Sequence, residues 1–282
     1  MKFRLLLILF FFSLSSICLA QENKFENWKK ERELEITKED GWLNLVGLLA
    51  IDEQKAYLNE LPNDSLVISD QSNKRTIGTF QFLNDSVWFL FNPKISKQKS
   101  LVYPLEYGKG GGVYYKHWKW LVIHRGGQYS LRLRDLEHPA VKNFEPLPYF
   151  DYNPKFRVKA FFEPKFNQTM NVPNVLGQVI EWKVMGILKF ELDGKPMELT
   201  VLDELGKFFL IFSDLTNEQE TYPTGRYMYI DYPDRTGNTV IDFNFSYNPP
   251  CAFTAFATCP IPPKENRMEV RIEAGEKMPN SY

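Results

Sequence analysis

Two cysteines with seven residues between them, in NPPCAFTAFATCPIPPKENR (Asn248 to Arg267), carry the most distinctive chemistry of this 282-residue chain. A thiol pair at that spacing can close a disulfide, supply half of a tetrahedral metal site, or lend one thiolate as a nucleophile. A zinc site needs two more ligands. The chain has no further cysteine pair after residue 20 and no H-E-x-x-H, and its histidines are only His117, His124 and His138. His117 and His124 stand an odd number apart, so one strand would turn them to opposite faces. No metal and no cofactor is therefore expected. A nucleophilic Cys251 would need a base that nothing in the sequence points to, and no G-x-S-x-G elbow is present, so catalytic residues remain unknown. A Cys251–Cys259 disulfide is the favoured reading, with two reduced structural thiols as its rival.

A second kind of chemistry lies in TVIDFNFSYN. On a continuous strand, alternation puts Asp242, Asn244 and Ser246 on one face and Ile241, Phe243, Phe245 and Tyr247 on the other. If RYMYID folds back on it as a hairpin around PDRTGN, Arg226 lies across from the polar face. A guanidinium opposite a carboxylate and an amide can fork-bind a carboxylate, a phosphate or a pair of sugar hydroxyls. Asn248 and Asn266, at the two ends of the proline-bracketed segment, complete a candidate ligand-binding set of Arg226, Asp242, Asn244, Ser246, Asn248 and Asn266. The plainer readings are a solvated strand face, a structural Arg226–Asp242 pair, and asparagines that bind loop backbone. Within the segment, Phe253 and Phe256 are three apart, which suits one helical turn with both rings inward. Asp231, Asp234 and Asn238 lack the spacing of a calcium loop and read as a polar hairpin tip. Trp118 and Trp120 share a face with Lys116 and could stack on a carbohydrate, although core packing is the commoner use.

The elements that must position these residues begin after a leader. Lys2 and Arg4 precede the apolar run Leu5 to Phe12, and Cys18-Leu19-Ala20 ends the segment: the layout of a signal peptide over 1–20. Cleavage after Ala20 is favoured over lipidation at Cys18, because Ile17 stands where a lipoprotein signal needs a small residue. Removing 1–20 takes away two cations and no acid, moving the formal net charge from −1 to −3. That excludes an electrostatic case for nucleic acid as partner, and no later run is long and apolar enough for an integral membrane helix. The expected location is periplasmic or secreted.

Residues 21–40 read as an exposed helix carrying Trp28, Leu34 and Ile36. Runs such as SLVIS, RTIGTFQF, SVWFLF and LVYPLEY then follow, rich in β-branched and aromatic residues and separated by Asn, Asp, Gly and Ser. This pattern predicts a mainly β chain. HWKWLVIHRGGQYSLRLRD predicts a hairpin, with strands His117–His124 and Gln128–Asp135 turned by Gly126-Gly127. Further strands follow from about Glu137, with a tight hairpin at Gly194-Lys195 and the RYMYID and TVIDFNFSYN strands flanking PDRTGN.

TYPTGRYMYID, DFNFSYNPPCAFTAFATCPIPPKENR and IEAGEK together resemble the signature of DUF1684, a family of bacterial and archaeal proteins without assigned function. WLNLVGLLAI and VIHRGGQYSLRLRD are similar to its first half, so the resemblance runs from about Trp42 to Lys277. It implies a β-sandwich resembling a forkhead-associated (FHA) domain over 41–136 and a β-rich signature domain over 137–282. The arginine, serine and asparagine that bind phosphothreonine in FHA domains have no counterpart here, so only the sandwich shape is implied. The cysteine pair belongs to the family motif.

Two functions are then open. One is a non-catalytic exported binding or scaffold protein for a small polar ligand, a glycan or an envelope partner near Arg226, Asp242 and Asn244. The other is an envelope hydrolase or transferase with Asp242 as acid/base and Arg226 as anion clamp. The second requires those residues to converge in a concave pocket.

Overall fold

The computed structural model describes residues 21–105, 111–204 and 206–279; the expected leader and Cys18 lie outside them. The chain is mainly β, with several antiparallel sheets and one N-terminal helix. It divides into two compact units.

The unit of Thr37–Phe144 together with Thr254–Ala257 is a two-sheet sandwich. Its strands are β1 (Leu45–Ile51), β2 (Tyr57–Glu60), β3 (Leu66–Ser69), β4 (Thr76–Leu83), β5 (Ser86–Phe91), β6 (Lys99–Tyr103), β7 (Val113–Tyr115), β8 (Trp118–Arg125) and β9 (Gln128–Asp135). They form one sheet of order β1-β9-β8-β7 and another of order β3-β2-β4-β5-β6. Alternate residues of both sheets, among them Ile51, Leu58, Phe80, Phe89, Val122 and Leu131, share one core. The β8–β9 hairpin forms as expected, because Gly126 and Gly127 take the two positive φ angles of its turn. Trp118 and Trp120 are core residues, while Lys116 sits in the turn before β8 at positive φ. They form no stacking patch.

The other unit holds residues 21–36, Glu145–Phe253 and the chain from Thr258. Its strands are β10 (Arg157–Pro173), β11 (Val179–Leu192), β12 (Lys195–Glu204), β13 (Lys207–Phe212), β14 (Arg226–Ile230) and β15 (Asn238–Asp242), in one sheet of order β14-β13-β12-β11-β10-β15. The β11–β12 turn is Asp193-Gly194, both at positive φ, one residue earlier than expected. Leu188, Phe190, Leu199, Leu210, Phe212, Met228 and Ile241 line one face, and Met268, Val270 and Ile272 of the irregular C-terminal segment close over them.

Helix α1 covers 21–37. It is packed along one side rather than exposed as expected. Leu34 is 68% exposed, whereas Phe25, Arg32 and Ile36 are buried. Phe25 and Trp28 stack on each other and meet Tyr149 and Phe245 edge-on.

Candidate functional site

The expected Arg226–Asp242 hairpin does not form. β14 pairs with β13, and Arg226 is opposite Phe212; β15 pairs with β10, and Asp242 is opposite Arg157. The two strands flanking PDRTGN therefore stand at the two ends of the six-strand order. The alternation through TVIDFNFSYN also fails, because β15 ends at Asp242 and Phe243–Phe245 is a 3-10 turn. Asp242 causes this locally: its Oδ1 accepts the Asn244 N–H at 3.2 Å and the Asn244 Nδ2–H at 2.8 Å. Asn244 and Ser246 thus turn inward, and both are fully buried.

Arg226, Asn244, Ser246, Asn248 and Asn266 are all 0% exposed. Arg226 Nη2 lies 2.6 Å from Asp214 Oδ2 and donates to the Ile272 carbonyl at 2.8 Å, while Nη1 donates to the Ala274 carbonyl. Burial pushes this guanidinium's pKa down, opposed by the Asp214 charge. Asp214 Oδ1 in turn accepts from Thr216 N–H, Thr216 Oγ1–H and Ile272 N–H. Asn244 exchanges two bonds with the Asn153 backbone, at 2.9 and 3.0 Å. Asn266 accepts from Thr200 N–H and donates to the Thr200 and Ile211 carbonyls, 2.7–2.8 Å each.

A second buried pair lies on α1. Arg32 Nε is 2.7 Å from Glu276 Oε1, and Arg32 Nη2 donates to the Asn248 carbonyl at 3.0 Å. Asn248 N–H donates to Glu276 Oε2, and its Nδ2 to the Lys277 carbonyl. Burial raises the Glu276 pKa, and the Arg32 charge opposes that rise. Asp214, Arg32 and Glu276 were absent from the sequence reading. A signal existed for Arg32, since it continues the 25–28–32–36 face of an otherwise polar helix. Arg226 and Asp214 fasten the segment Ile272–Ala274 to β14 and its neighbours, and Arg32 ties Glu276 to α1. Most of their polar atoms bond backbone or each other, while Arg226 Nε and Asn248 Oδ1 are buried without a hydrogen-bond partner among the described residues.

Cys251 and Cys259 are joined, with Cα atoms 6.2 Å apart. Around them the backbone is pinned: Val175 N–H donates to the Cys259 carbonyl, Ile261 N–H to Pro173, Tyr227 Oη–H to Pro260 and Tyr222 Oη–H to Cys251. Phe253 is buried, but Phe256 is 38% exposed: the 3-10 turn spans Pro250–Ala252 and ends before it can bring both rings inward.

One polar region of this unit stays open. Alternation places Arg157, Lys159 and Phe161 of β10 on one face, beside Asp242, Val240 and Asn238 of β15. A concavity of about 410 Å³ lies over Lys159, Asp234, Asn238, Thr239 and Val240. Its polar edge is rigid. Asp234 Oδ1 accepts from Thr236 N–H at 2.8 Å, Thr236 Oγ1–H at 2.6 Å and Asn238 N–H at 3.0 Å, and these bonds hold its pKa low. Thr239 Oγ1 donates to the Asp231 carbonyl. The PDRTGN segment is thus a polar turn, though not a hairpin tip. Phe161 is 50% exposed, and a Cβ added to Gly237 (φ +85°) would meet its ring at 2.9 Å. Only glycine lets ring and turn approach so closely.

A profile described as "Protein of unknown function (DUF1684)" matches residues 142–277. An uncharacterized protein of Haloarcula marismortui, solved by solution NMR, is 32% identical over 48% of this chain and 78% of that chain, with a TM-score of 0.41. The chain belongs to the DUF1684 family. No curated protein matches it. The family match begins at residue 142, so it takes in β10–β15, the Arg226–Asp214 network and the cysteine loop, and leaves out Arg32 of α1 and the sandwich that the sequence resemblance included.

In this DUF1684 chain the face of β10 and β15 is open to solvent and the Arg226 network is enclosed. Among the described residues, no three His, Cys, Asp or Glu side chains are grouped to hold a metal ion. Asp242 spans both regions. Its Oδ1 is held by Asn244 of the interior, while Oδ2 faces the half-exposed Arg157 at 3.6 Å. Burial raises its pKa, and the Asn244 bonds and Arg157 act against that rise.

Proposed function

We propose that this protein is an exported, non-catalytic binding protein that holds a small polar ligand on the open face of β10 and β15. The concavity over Lys159, Asp234 and Asn238 carries this reading: a cation, a carboxylate fixed by three donors and an amide converge on one rigid patch. The periplasmic or secreted location rests on the leader layout of residues 1–20, and the Cys251–Cys259 bond is compatible with an oxidising compartment. No helix among the described residues is long and apolar enough to cross a membrane. The enzyme alternative needed Arg226 and Asp242 to converge; they pair with different partners, and Arg226 is enclosed.

The test is a thermal-shift screen of the exported protein against sugars, phosphates and organic acids, repeated with Lys159→Ala and Asp234→Ala. A stabilising hit lost in both variants, each melting within a few degrees of wild type, supports the site. Hits that survive both substitutions place binding elsewhere and end this reading.

A further inference from the structure

We infer that the ligand is a saccharide carrying an acidic group, a uronic-acid unit being the simplest case; this rests on the binding face just proposed. The argument begins with Phe161. An aromatic ring half-exposed in the middle of a paired strand, and wedged against Gly237, is held at a fixed angle with its free part towards solvent. A sugar ring matches that geometry, because its C–H face covers an aromatic while its hydroxyls point sideways to hydrogen-bonding groups. Such groups flank the ring: Asn238 is directly across the strand pair, and Asp234 is two turn bonds away with its carboxylate held in place. A fixed carboxylate accepts from hydroxyls and repels dense negative charge, which favours a polyol over a phosphate or a nucleotide.

The acidic group follows from the charge pairing on this face. Arg157 is answered by Asp242, and Lys165 and Lys189 are answered by Glu163, whose pKa they pull down to about 2. Lys159 lines the concavity and has no ion-pair partner among the described residues. One uncommitted ammonium beside a stacking ring suits a single carboxylate on a sugar ring. A neutral sugar would leave it unused.

The experiment titrates the isotope-labelled exported protein with oligogalacturonate, with the corresponding neutral galactose oligomer and with inorganic phosphate, following amide shifts by NMR. Oligogalacturonate is expected to move the amides of residues 159–161 and 238–240 and to weaken as salt rises. Phe161→Ala should reduce its affinity about three- to tenfold, and Lys159→Gln should remove the preference over the neutral oligomer. Both side chains are exposed, so the dispersed spectrum of each variant checks folding directly. Equal binding of the neutral oligomer overturns the acidic part. Shifts on this face from phosphate alone, insensitive to Phe161→Ala, overturn the saccharide while leaving the binding face standing. If none of the three probes moves these amides, the saccharide inference falls; the face itself then stands or falls with the thermal-shift variants.

Discussion

Two polar regions of one unit use the same residue types to opposite ends. Around Arg226 and Glu276, arginines, carboxylates and asparagines are enclosed, and their bonds run to backbone carbonyls and amides or to one another. Along β10 and β15, Lys159 and Phe161 stand in the open beside partly exposed ion pairs and the bonded turn that carries Asp234. The first region resembles a catalytic constellation when read as a list of residues, yet it fastens the fold. The second, assembled from a lysine, an aromatic and a turn, leaves side chains open to solvent and is the face proposed above to bind. Residue type therefore separates function from architecture less well than the destination of each hydrogen bond.

The sharpest way to break the comparison is Arg226→Ala. It leaves Asp214 charged and enclosed, and we expect a loss of about 3–5 kcal/mol in denaturant-unfolding free energy; a loss under about 1 kcal/mol would mean the pair is not architecture. Next comes the cysteine bond. Replacing Cys251 and Cys259 by serine frees a loop of sequence separation 8, and chain entropy for so short a loop gives about 2.5 kcal/mol. Unfolding of oxidised protein against the double variant measures it. The smallest effect is at Asp242, on the border of the two regions. Its folded-state pKa is raised, so the native state binds the proton more tightly than the unfolded chain does. Its contribution is largest below the ordinary carboxylate range and falls as pH rises through the raised native value. Asp242→Asn has no such slope, so the stability of wild type relative to the variant should decline with rising pH. A difference that grows with pH would show that Arg157, not burial, governs the group.

Local patterns in the sequence read through well. The β8–β9 hairpin follows from two glycines between alternating strands, and the mainly β character follows from composition. Pairing between distant strands did not read through. β14 and β15 are neighbours in sequence with a turn between them, but the two strands go to opposite ends of the sheet, and nothing local marks that crossover. At Asp242 a strand pattern and an Asx-type turn competed, and the carboxylate's bonds to Asn244 won. The open face was missed for the same reason as the crossover. Phe161, Lys159 and Asn238 become neighbours only when β10 and β15 pair, across 77 or more residues of chain. Asp214 and Glu276 were missed because a buried carboxylate declares itself only through its partner.

The bond between Arg32 and Glu276 joins residues 244 apart in sequence. The helix over 21–37 is thus secured by a carboxylate from the far side of the sheet in sequence, and neither residue's burial is satisfied until both segments are in place. Closing a contact of such long sequence separation costs loop entropy before the burial it permits is gained, so the helix is a late-rewarded part of the fold.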